Sequence, residues 1–183
     1  MKNAQMGLFC LPRDRTEHGG DLARSKRKVA RPFRAKQLVH LVLRSSKAKG
    51  KLSFLNAKNA TKVESVVKIQ ANRHFVKVYE FVNVGNHLHL KVRPYTKDGF
   101  RNFLRTATAL IARAVTGAKK GKPFGIFWDA LAYTRVLRTR AEEWTLRRYF
   151  AANSYEAEFG QMARETYLSE NPLNRRARRA APG

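Results

Sequence analysis

The sequence has few acidic residues, one cysteine and no long apolar run. Its 183 residues include 13 Asp and Glu against 38 Lys and Arg, a formal net charge of +25 at pH 7. A compact protein with this charge repels itself unless a polyanion is near, so nucleic acid is the first expected partner and a membrane surface the second. The single cysteine, Cys10, excludes an internal disulfide and a cysteine-rich zinc site.

The lack of a long apolar run bears on where in the cell the protein is expected. No stretch approaches the roughly 20 apolar residues that span a bilayer, so we expect no membrane association. Residues 6–12 are too short for the apolar core of a signal peptide, and Arg13 and Asp14 follow at once. We therefore expect a cytoplasmic protein, associated with the nucleoid if its partner is DNA. The length suits one domain with tails.

Charge is concentrated at the two ends. Residues 1–34 form a polar, basic leader that we expect to be flexible, residues 35–160 a single domain, and residues 161–183 a polar and basic tail. We predict that both ends contact DNA or RNA, and the alternative is that they only increase solubility. The basic residues predicted to bind DNA are Arg24, Lys26, Arg27, Lys28, Arg175, Arg176, Arg178 and Arg179.

The chain is organised around residues 76–93, which predict two strands separated by a turn or bulge at Gly85-Asn86. The second strand alternates, because apolar residues at 88, 90 and 92 point to one face and polar residues to the other. The polar set is His87, His89, Lys91 and Arg93. Two imidazoles on one strand face are close enough to bind one metal ion. The alternative is a solvated strand face, on which Lys91 and Arg93 are either phosphate contacts or solvated charges.

The remaining pattern predicts an α+β fold. Strands are expected at 37–44 and 124–137, and helices after capping signals at Thr61, at Thr96 or Asp98, and at Thr139, with Gly117 ending the second helix. His40 in the first strand is expected to be a core or edge histidine, and a functional role is the alternative. The order β-α-β-β-α-β-α indicates an antiparallel sheet with helices mainly on one face, of the ferredoxin-like kind.

The last predicted helix carries Tyr149 and Asn153, which share a face because they are four residues apart. If this helix lies beside the histidine face, two imidazoles, an amide oxygen and a phenol meet there. Two nitrogens and one oxygen leave positions on a divalent ion for a phosphate oxygen and water. The histidine face has no carboxylate, which favours a single-metal site over the carboxylate-based two-metal nucleases. The alternative is an amphipathic helix with a half-buried tyrosine.

These motifs resemble those of the HUH endonucleases. Gly-Asn-His-Leu-His-Leu at 85–90 is similar to their His-hydrophobic-His motif, and Arg-Tyr-Phe-Ala-Ala-Asn at 148–153 is similar to the tyrosine helix of their small single-tyrosine branch. That branch contains insertion-sequence transposases of the single-strand type and the REP-associated tyrosine transposases of bacteria. The resemblance covers residues 36–160. Val84-Gly85 and Ser154 depart from the REP-associated pattern, which leaves the subgroup open.

The resemblance implies a metal-dependent transposase that cleaves and rejoins single-stranded or hairpin DNA. Tyr149 would be the nucleophile that forms a 5′-phosphotyrosine, and His87, His89 and Asn153 would bind Mg²⁺, or Mn²⁺ in its place. No small-molecule cofactor is expected, and the protein would be a monomer or a homodimer. Tyr167, followed by Asn171 and Pro172, is the second candidate nucleophile.

Two other classes of function remain open. A non-catalytic RNA-binding protein of the ribosomal kind would account for the charge and the length, but it needs no paired histidines. A domesticated relative that binds DNA hairpins without cutting them would keep the fold and lose the chemistry. Metal-dependent nicking separates the enzyme from both.

Overall fold

The structure is a computed structural model that describes residues 15–23, 29–160 and 167. Its strands are β1 (Glu17–His18), β2 (Val39–Arg44), β3 (Val76–Asn83), β4 (His87–Pro94) and β5 (Tyr133–Val136), and its α-helices are α1 (Ala57–Arg73), α2 (Lys97–Thr116) and α3 (Arg140–Phe159). Short 3₁₀ turns cover Gly20–Ala23 and Gly50–Leu52. None of the helices in this part of the chain combines the length and hydrophobicity needed to cross a membrane.

The five described strands form one antiparallel sheet in the order β1-β5-β2-β4-β3. From β2 onward the elements follow the order β-α-β-β-α-β-α, which confirms the α+β prediction. The central pairing sets His40 opposite Lys91 and Val42 opposite His89. Directly opposed residues in an antiparallel pair share a face, so this register places His40 on the histidine face of β4.

Helices α1 and α2 cover the apolar face of the sheet. Leu88, Leu90 and Val92 of β4 are fully buried there, in one cluster with Phe103 and Ile111 of α2. The α2 helix begins at Thr96, whose side chain accepts a hydrogen bond from Gly99 N, and ends at Gly117 in the left-handed conformation at φ 68°. This apolar burial is the main source of stability for the fold.

Helix α3 covers the opposite face of the sheet with a smaller apolar contact. Its cluster of buried residues is Leu146 and Phe150 together with Leu137. The predicted capping box is present: Glu142 N donates to Thr139 Oγ1 at 3.1 Å, and Thr139 N donates to the Glu142 carboxylate at 3.1 Å. Polar contacts therefore fix the start of the helix that carries Tyr149.

Three local expectations were wrong. Helix α1 begins earlier than the Thr61 capping box, because the side chain of Asn56 caps it by accepting from Lys58 N. Only residues 133–136 of the predicted strand 124–137 are in the sheet, and Gly125 takes a φ of +84°, which breaks an extended run. Part of the leader also joins the sheet, because β1 pairs with β5.

Candidate active site

A cavity of about 820 Å³ opens on the polar face of the sheet beside α3. Strand residues and the turns that flank the sheet line it in about equal numbers, and α3 contributes one side chain. Arg44, Asp21 and Asp129 are among the lining residues. The ring-bearing residues that line it are His40, His87, His89, Tyr133 and Tyr149. The structure therefore brings both predicted histidines and the predicted nucleophile to one cavity, together with two rings that the sequence did not assign to it.

His87 and His89 lie edge to face, with ring centres 4.7 Å apart and planes at 85°. An imidazole nitrogen lies about 2.1 Å from a divalent ion, so two imidazoles that bind one ion at a right angle have ring centres about 4.5 Å apart, whatever the angle between their ring planes. The observed separation fits this arrangement. His87 Nδ1 lies 2.5 Å from Asn86 Oδ1. An amide oxygen only accepts, so this contact places the proton of the neutral ring on Nδ1 and the lone pair that could bind a metal on Nε2.

His40 also lines the cavity, although the sequence favoured a core or edge histidine at this position. Its Nε2 lies 3.3 Å from His89 Nδ1, and the two rings stack with centres 5.6 Å apart. Burial, with a smaller contribution from the charge of Arg135, lowers the pKa of His40 to about 4. The ring is therefore neutral at pH 7. The alternation of β2 places its side chain opposite to Leu41, but the contact with His89 depends on the register between β2 and β4.

The pair of His40 and His89 shares one hydrogen bond, so one ring donates and the other accepts. If His40 accepts, His89 Nδ1 carries the proton and His89 Nε2 is in the ligating form. If His40 donates, the proton of His89 lies on Nε2 and metal binding there is blocked. Metal ligation by His89 therefore requires His40 as the acceptor, which is the usual role of the partner of a metal-bound histidine.

Tyr149 lies against both of these rings. Its ring centre is 5.2 Å from that of His89 and 6.0 Å from that of His40, in edge-to-face geometry. The second tyrosine of the cavity, Tyr133, has a different electrostatic environment. Burial and the carboxylate of Glu17 raise its pKa to about 12. A phenol with this pKa is harder to ionise, which disfavours Tyr133 as a nucleophile.

Asn153 lies one helical turn beyond Tyr149 and is almost fully buried, at 1% exposure. Its side-chain nitrogen has no hydrogen-bond partner in the described part of the chain, and it is not among the cavity-lining residues. No group of three or more His, Cys, Asp or Glu side chains among the described residues could hold a metal ion. A metal site here would thus need an oxygen from another source, such as an amide, a phosphate or water, and the role of Asn153 stays a prediction.

Lys91 is neither a DNA contact nor a solvated charge. It is 2% exposed beneath α3, where it forms ion pairs with Glu80 of β3 and with Glu143 of α3, the latter at 3.4 Å. Its ammonium ties the tyrosine helix to the sheet. The expectation failed because the strand pattern alone does not reveal that α3 covers this face. Arg93 is half-buried, and its guanidinium lies 5.0 Å from the ring centre of Tyr79, so its predicted phosphate contact stays a prediction.

The other predicted residues lie elsewhere. Tyr167 stacks on Tyr155 with ring centres 4.7 Å apart, and it is not among the residues that line the cavity. The basic residues predicted to bind DNA from the leader and the tail lie outside the described residues, namely Arg24, Lys26, Arg27, Lys28, Arg175, Arg176, Arg178 and Arg179.

The rim also carries carboxylates, contrary to the expectation of a carboxylate-free face. Asp129 accepts hydrogen bonds from the backbone and hydroxyl of Ser46 at 2.8 Å each, and it faces Arg44 at 3.7 Å. Asp21 lines the same cavity from the turn after β1. The contacts of Asp129 show a structural task, which is to hold the segment after Trp128 against β2.

Comparison with protein-family models gives no match, and comparison with curated proteins gives no significant relative. Among solved structures, the chain is similar to a protein from Deinococcus radiodurans R1, provisionally described as a transposase and determined at 1.90 Å. The two are 13% identical with a TM-score of 0.43, over 69% of this chain and 98% of the other. A similarity of this size does not establish a common function.

Proposed function

We propose that this chain is a transposase-type enzyme that cleaves and rejoins single-stranded DNA through a 5′-phosphotyrosine at Tyr149. One observation carries the proposal: two imidazoles with the spacing of metal ligands and a tyrosine ring 5.2 Å from one of them line the same cavity. The net charge of +25 supports a polyanionic substrate. The resemblance to HUH endonucleases assigns the same residues to the same tasks.

The covalent step exchanges one phosphate ester for another. A bond forms between Tyr149 Oη and phosphorus, and the bond from phosphorus to the 3′ oxygen breaks. The phenol proton passes to solvent, and the departing 3′ oxygen takes up a proton to become a hydroxyl. The phosphotyrosine keeps the ester energy, so a 3′ hydroxyl can reverse the step and rejoin the strand without a nucleotide triphosphate.

Different residues of the cavity have different tasks in this covalent step. Edge-to-face packing on His40 and His89 positions the Tyr149 ring. Arg44, with a side chain 67% exposed at the rim, is placed to contact the phosphate. His87 and His89 would hold Mg²⁺ or Mn²⁺, which when bound neutralises charge on the phosphate oxygens.

The test is a covalent-adduct assay. Single-stranded oligonucleotides labelled at the 3′ end are mixed with protein and Mn²⁺, then separated on a denaturing gel. The proposed enzyme leaves its label migrating with the protein, a hydrolytic nuclease releases the label, and a binding protein gives neither product. EDTA should abolish the adduct, and an equal yield with and without Mn²⁺ would refute the metal site. Substrates should include hairpins, because an unsuitable library also gives a blank.

Three tyrosine variants identify the nucleophile. Tyr149→Phe removes one oxygen and little packing, so it should abolish the adduct and retain DNA binding. Tyr167→Phe should leave the adduct unchanged. Loss of the adduct in Tyr167→Phe or in Tyr133→Phe, with Tyr149→Phe still active, would assign the attack to that other phenol. If wild-type protein forms no adduct with a hairpin that it binds tightly, the non-catalytic binder is the better interpretation.

A further inference from the structure

A second groove, of about 310 Å³, adjoins the cavity. It lies between α2 and the segment from Trp128 to Ala132, which we call the partition segment because it lines both spaces. Arg44, Ala130 and Leu131 contribute to both linings. The cavity and the groove therefore share a wall, and Arg44 lies at its exposed edge.

Arginines dominate the charge of this groove. Arg31, Arg44 and Arg105 line it, and none of the described lining residues is acidic. Arg105 is exposed on α2 and makes no ion pair with another described residue. We call this space the arginine groove. The net positive charge of this lining fits an anionic ligand, although Asp129 of the partition segment pairs with Arg44 at 3.7 Å.

Arg31 is the most buried of the three. It donates to the carbonyl oxygen of Ala132 at 2.8 Å and to Thr134 Oγ1 at 2.5 Å, both of which are neutral acceptors. Burial lowers its pKa to about 10, so the guanidinium stays charged at pH 7. A charge held in a low-dielectric wall attracts an anion more strongly than one in open solvent.

The partition segment is held in place from several directions. Asp129 binds Ser46, Gly20 N donates to Leu131 O at 2.8 Å, and Arg31 donates to Ala132 O. Gly19 has to be glycine here, because a Cβ would lie 2.1 Å from Ala132 O. The arginine groove is thus formed before a ligand arrives, which reduces the ordering cost of binding.

The groove also offers surface to a base. Trp128 lines it as a half-buried ring that packs against Phe54 and Phe127 of the core. Its indole Nε1 donates to Thr108 O at 3.1 Å, which fixes the ring. Leu131 is 63% exposed at the shared edge. Positive charge together with an aromatic ring is the usual combination in channels for single-stranded nucleic acid, where phosphates meet cations and bases stack on rings.

We propose that the arginine groove binds the DNA strand that continues past the cleavage cavity, with Arg105 and Arg31 contacting its phosphates. This assignment rests on the proposed function, because it treats the cavity as the place where the strand is cut. It adds a binding surface on α2, on the opposite side of the partition segment from the tyrosine.

The first test measures binding alone. Fluorescence anisotropy with a labelled oligothymidylate of about 20 nucleotides, in EDTA, compares Arg105→Glu with Arg101→Glu. Arg101 is the control, because it lies one turn earlier on α2, its side chain is 81% exposed and it is not a lining residue of the groove. It differs from Arg105 in a surface ion pair with Asp98 at 3.9 Å, a contact that adds little to stability. The two variants change net charge equally. We expect Arg105→Glu to raise Kd at least 10-fold and Arg101→Glu less than 3-fold.

Salt dependence gives a second measure of the same contact. Arg105→Ala should reduce the slope of log K against log salt by about 0.7, the value for one phosphate of a single strand, and Arg101→Ala should not change it. Equal effects of the paired variants on Kd and slope would overturn the assignment. A thermal unfolding curve for each variant confirms that it is folded.

The sequence offers a direct optical test. It contains two tryptophans, so Trp144→Phe leaves Trp128 as the only one. Titration with the oligothymidylate should quench Trp128 fluorescence with the same midpoint as the anisotropy, and Arg105→Glu should shift both midpoints together. Unchanged emission at DNA concentrations that saturate the anisotropy would place the strand elsewhere.

The outcomes for the groove and for the chemistry are separable. Binding in EDTA needs no cleavage, so groove effects without any covalent adduct would refute the proposed chemistry and retain the groove. An adduct formed equally well by Arg105→Glu and wild type at limiting DNA would refute the groove and retain the chemistry.

Discussion

The two faces of β4 are both covered, but by different means. On one face Leu88, Leu90 and Val92 lie in an apolar cluster beneath α1 and α2. On the other, His89 and Lys91 are just as inaccessible, at 2% exposure each, yet they meet rings and carboxylates beneath α3. A buried polar group adds little to stability unless its partners are well placed. The apolar face therefore supports the fold, and the polar face organises a site.

The two faces also differ in how the helices that cover them are held to the sheet. Helix α2 contributes a wide apolar stripe to its face, whereas α3 rests on a small cluster, the Thr139 capping box and the ion pair between Lys91 and Glu143. Each polar contact stabilises by about 1 kcal/mol, less than the burial of one large apolar side chain. We expect substitutions on the two faces to separate stability from function.

Adjacent residues on β4 give the largest expected contrast. Leu88→Ala should lower the free energy of unfolding by about 3 kcal/mol, because it deletes a fully buried side chain and leaves a cavity. His87→Ala should cost less than about 1 kcal/mol, since that ring is half-buried at the cavity. Urea unfolding at pH 7 measures both values. Equal losses would mean that the polar face carries as much of the fold as the apolar one.

The next largest effect concerns the pair of His40 and His89. His40→Leu keeps bulk but removes the acceptor for His89 Nδ1, so the Kd for Mn²⁺ should rise about 10- to 100-fold. His40→Gln can accept the same hydrogen bond through its amide oxygen, so it should recover most of the affinity. Isothermal titration with Mn²⁺ measures this without any cleavage assay.

A purely structural role for His40 predicts a different result. Both variants would then weaken Mn²⁺ binding in proportion to their loss of thermal stability, with no recovery in His40→Gln. His74→Leu, which removes an imidazole at the end of α1, is the control and should leave Mn²⁺ affinity unchanged.

The smallest effect concerns the attachment of α3. The Glu142 carboxylate accepts hydrogen bonds from Arg138 N, from the Arg135 guanidinium and from Thr139 N. These contacts lower the pKa of the carboxyl, and the one from Arg138 N contributes most. A carboxyl with a folded-state pKa below its unfolded value stabilises above that value, and the stabilisation is lost as pH falls. Glu142→Gln should therefore lower the free energy of unfolding at pH 7, by less than Leu88→Ala because the carboxyl is only partly buried.

The pH dependence of the free energy of unfolding tests whether the charge of Glu142 is the cause. The stability gap between wild type and Glu142→Gln should be largest above pH 5 and should shrink as pH falls through the ordinary value of 4.5. Glu158→Gln, an exposed change near the end of α3, should show no gap. A gap for Glu142→Gln that stays constant between pH 7 and pH 3 would exclude the charge of this carboxylate as the cause.

The sequence alone predicted the strands, helices and caps that are specified by residues close together in the chain. The alternation of β4, the apolar periodicity of α2 and the Thr139 capping box all have the predicted positions in the fold. Each arises from contacts between residues close in sequence, or from a single periodic face. The convergence of His87, His89 and Tyr149 on one cavity also follows the predicted arrangement, although their chemistry stays a proposal.

Contacts between segments that are distant in the sequence could not be predicted from its local polar and apolar pattern. His40 joins the site because β2 pairs with β4 in one register, and a shift of one residue would turn its ring to the apolar face. Lys91 is buried because α3 lies over it. Strand β1 is only two residues long and has no alternation to recognise. These features depend on pairing partners, which a single sequence does not encode locally.

The pairing of β1 with β5 has a consequence for the order of folding. Glu17 pairs with Arg135, and the turn that follows β1 forms one wall of the cavity. On a growing chain this wall has to wait until β5 has left the ribosome, whereas the hairpin of β3 and β4 can form as soon as it emerges. Closing so long a loop is slow and entropically costly compared with closing a hairpin. We therefore expect the nascent protein to assemble its histidine strand early and to complete the cavity last, when β5 and then α3 have emerged.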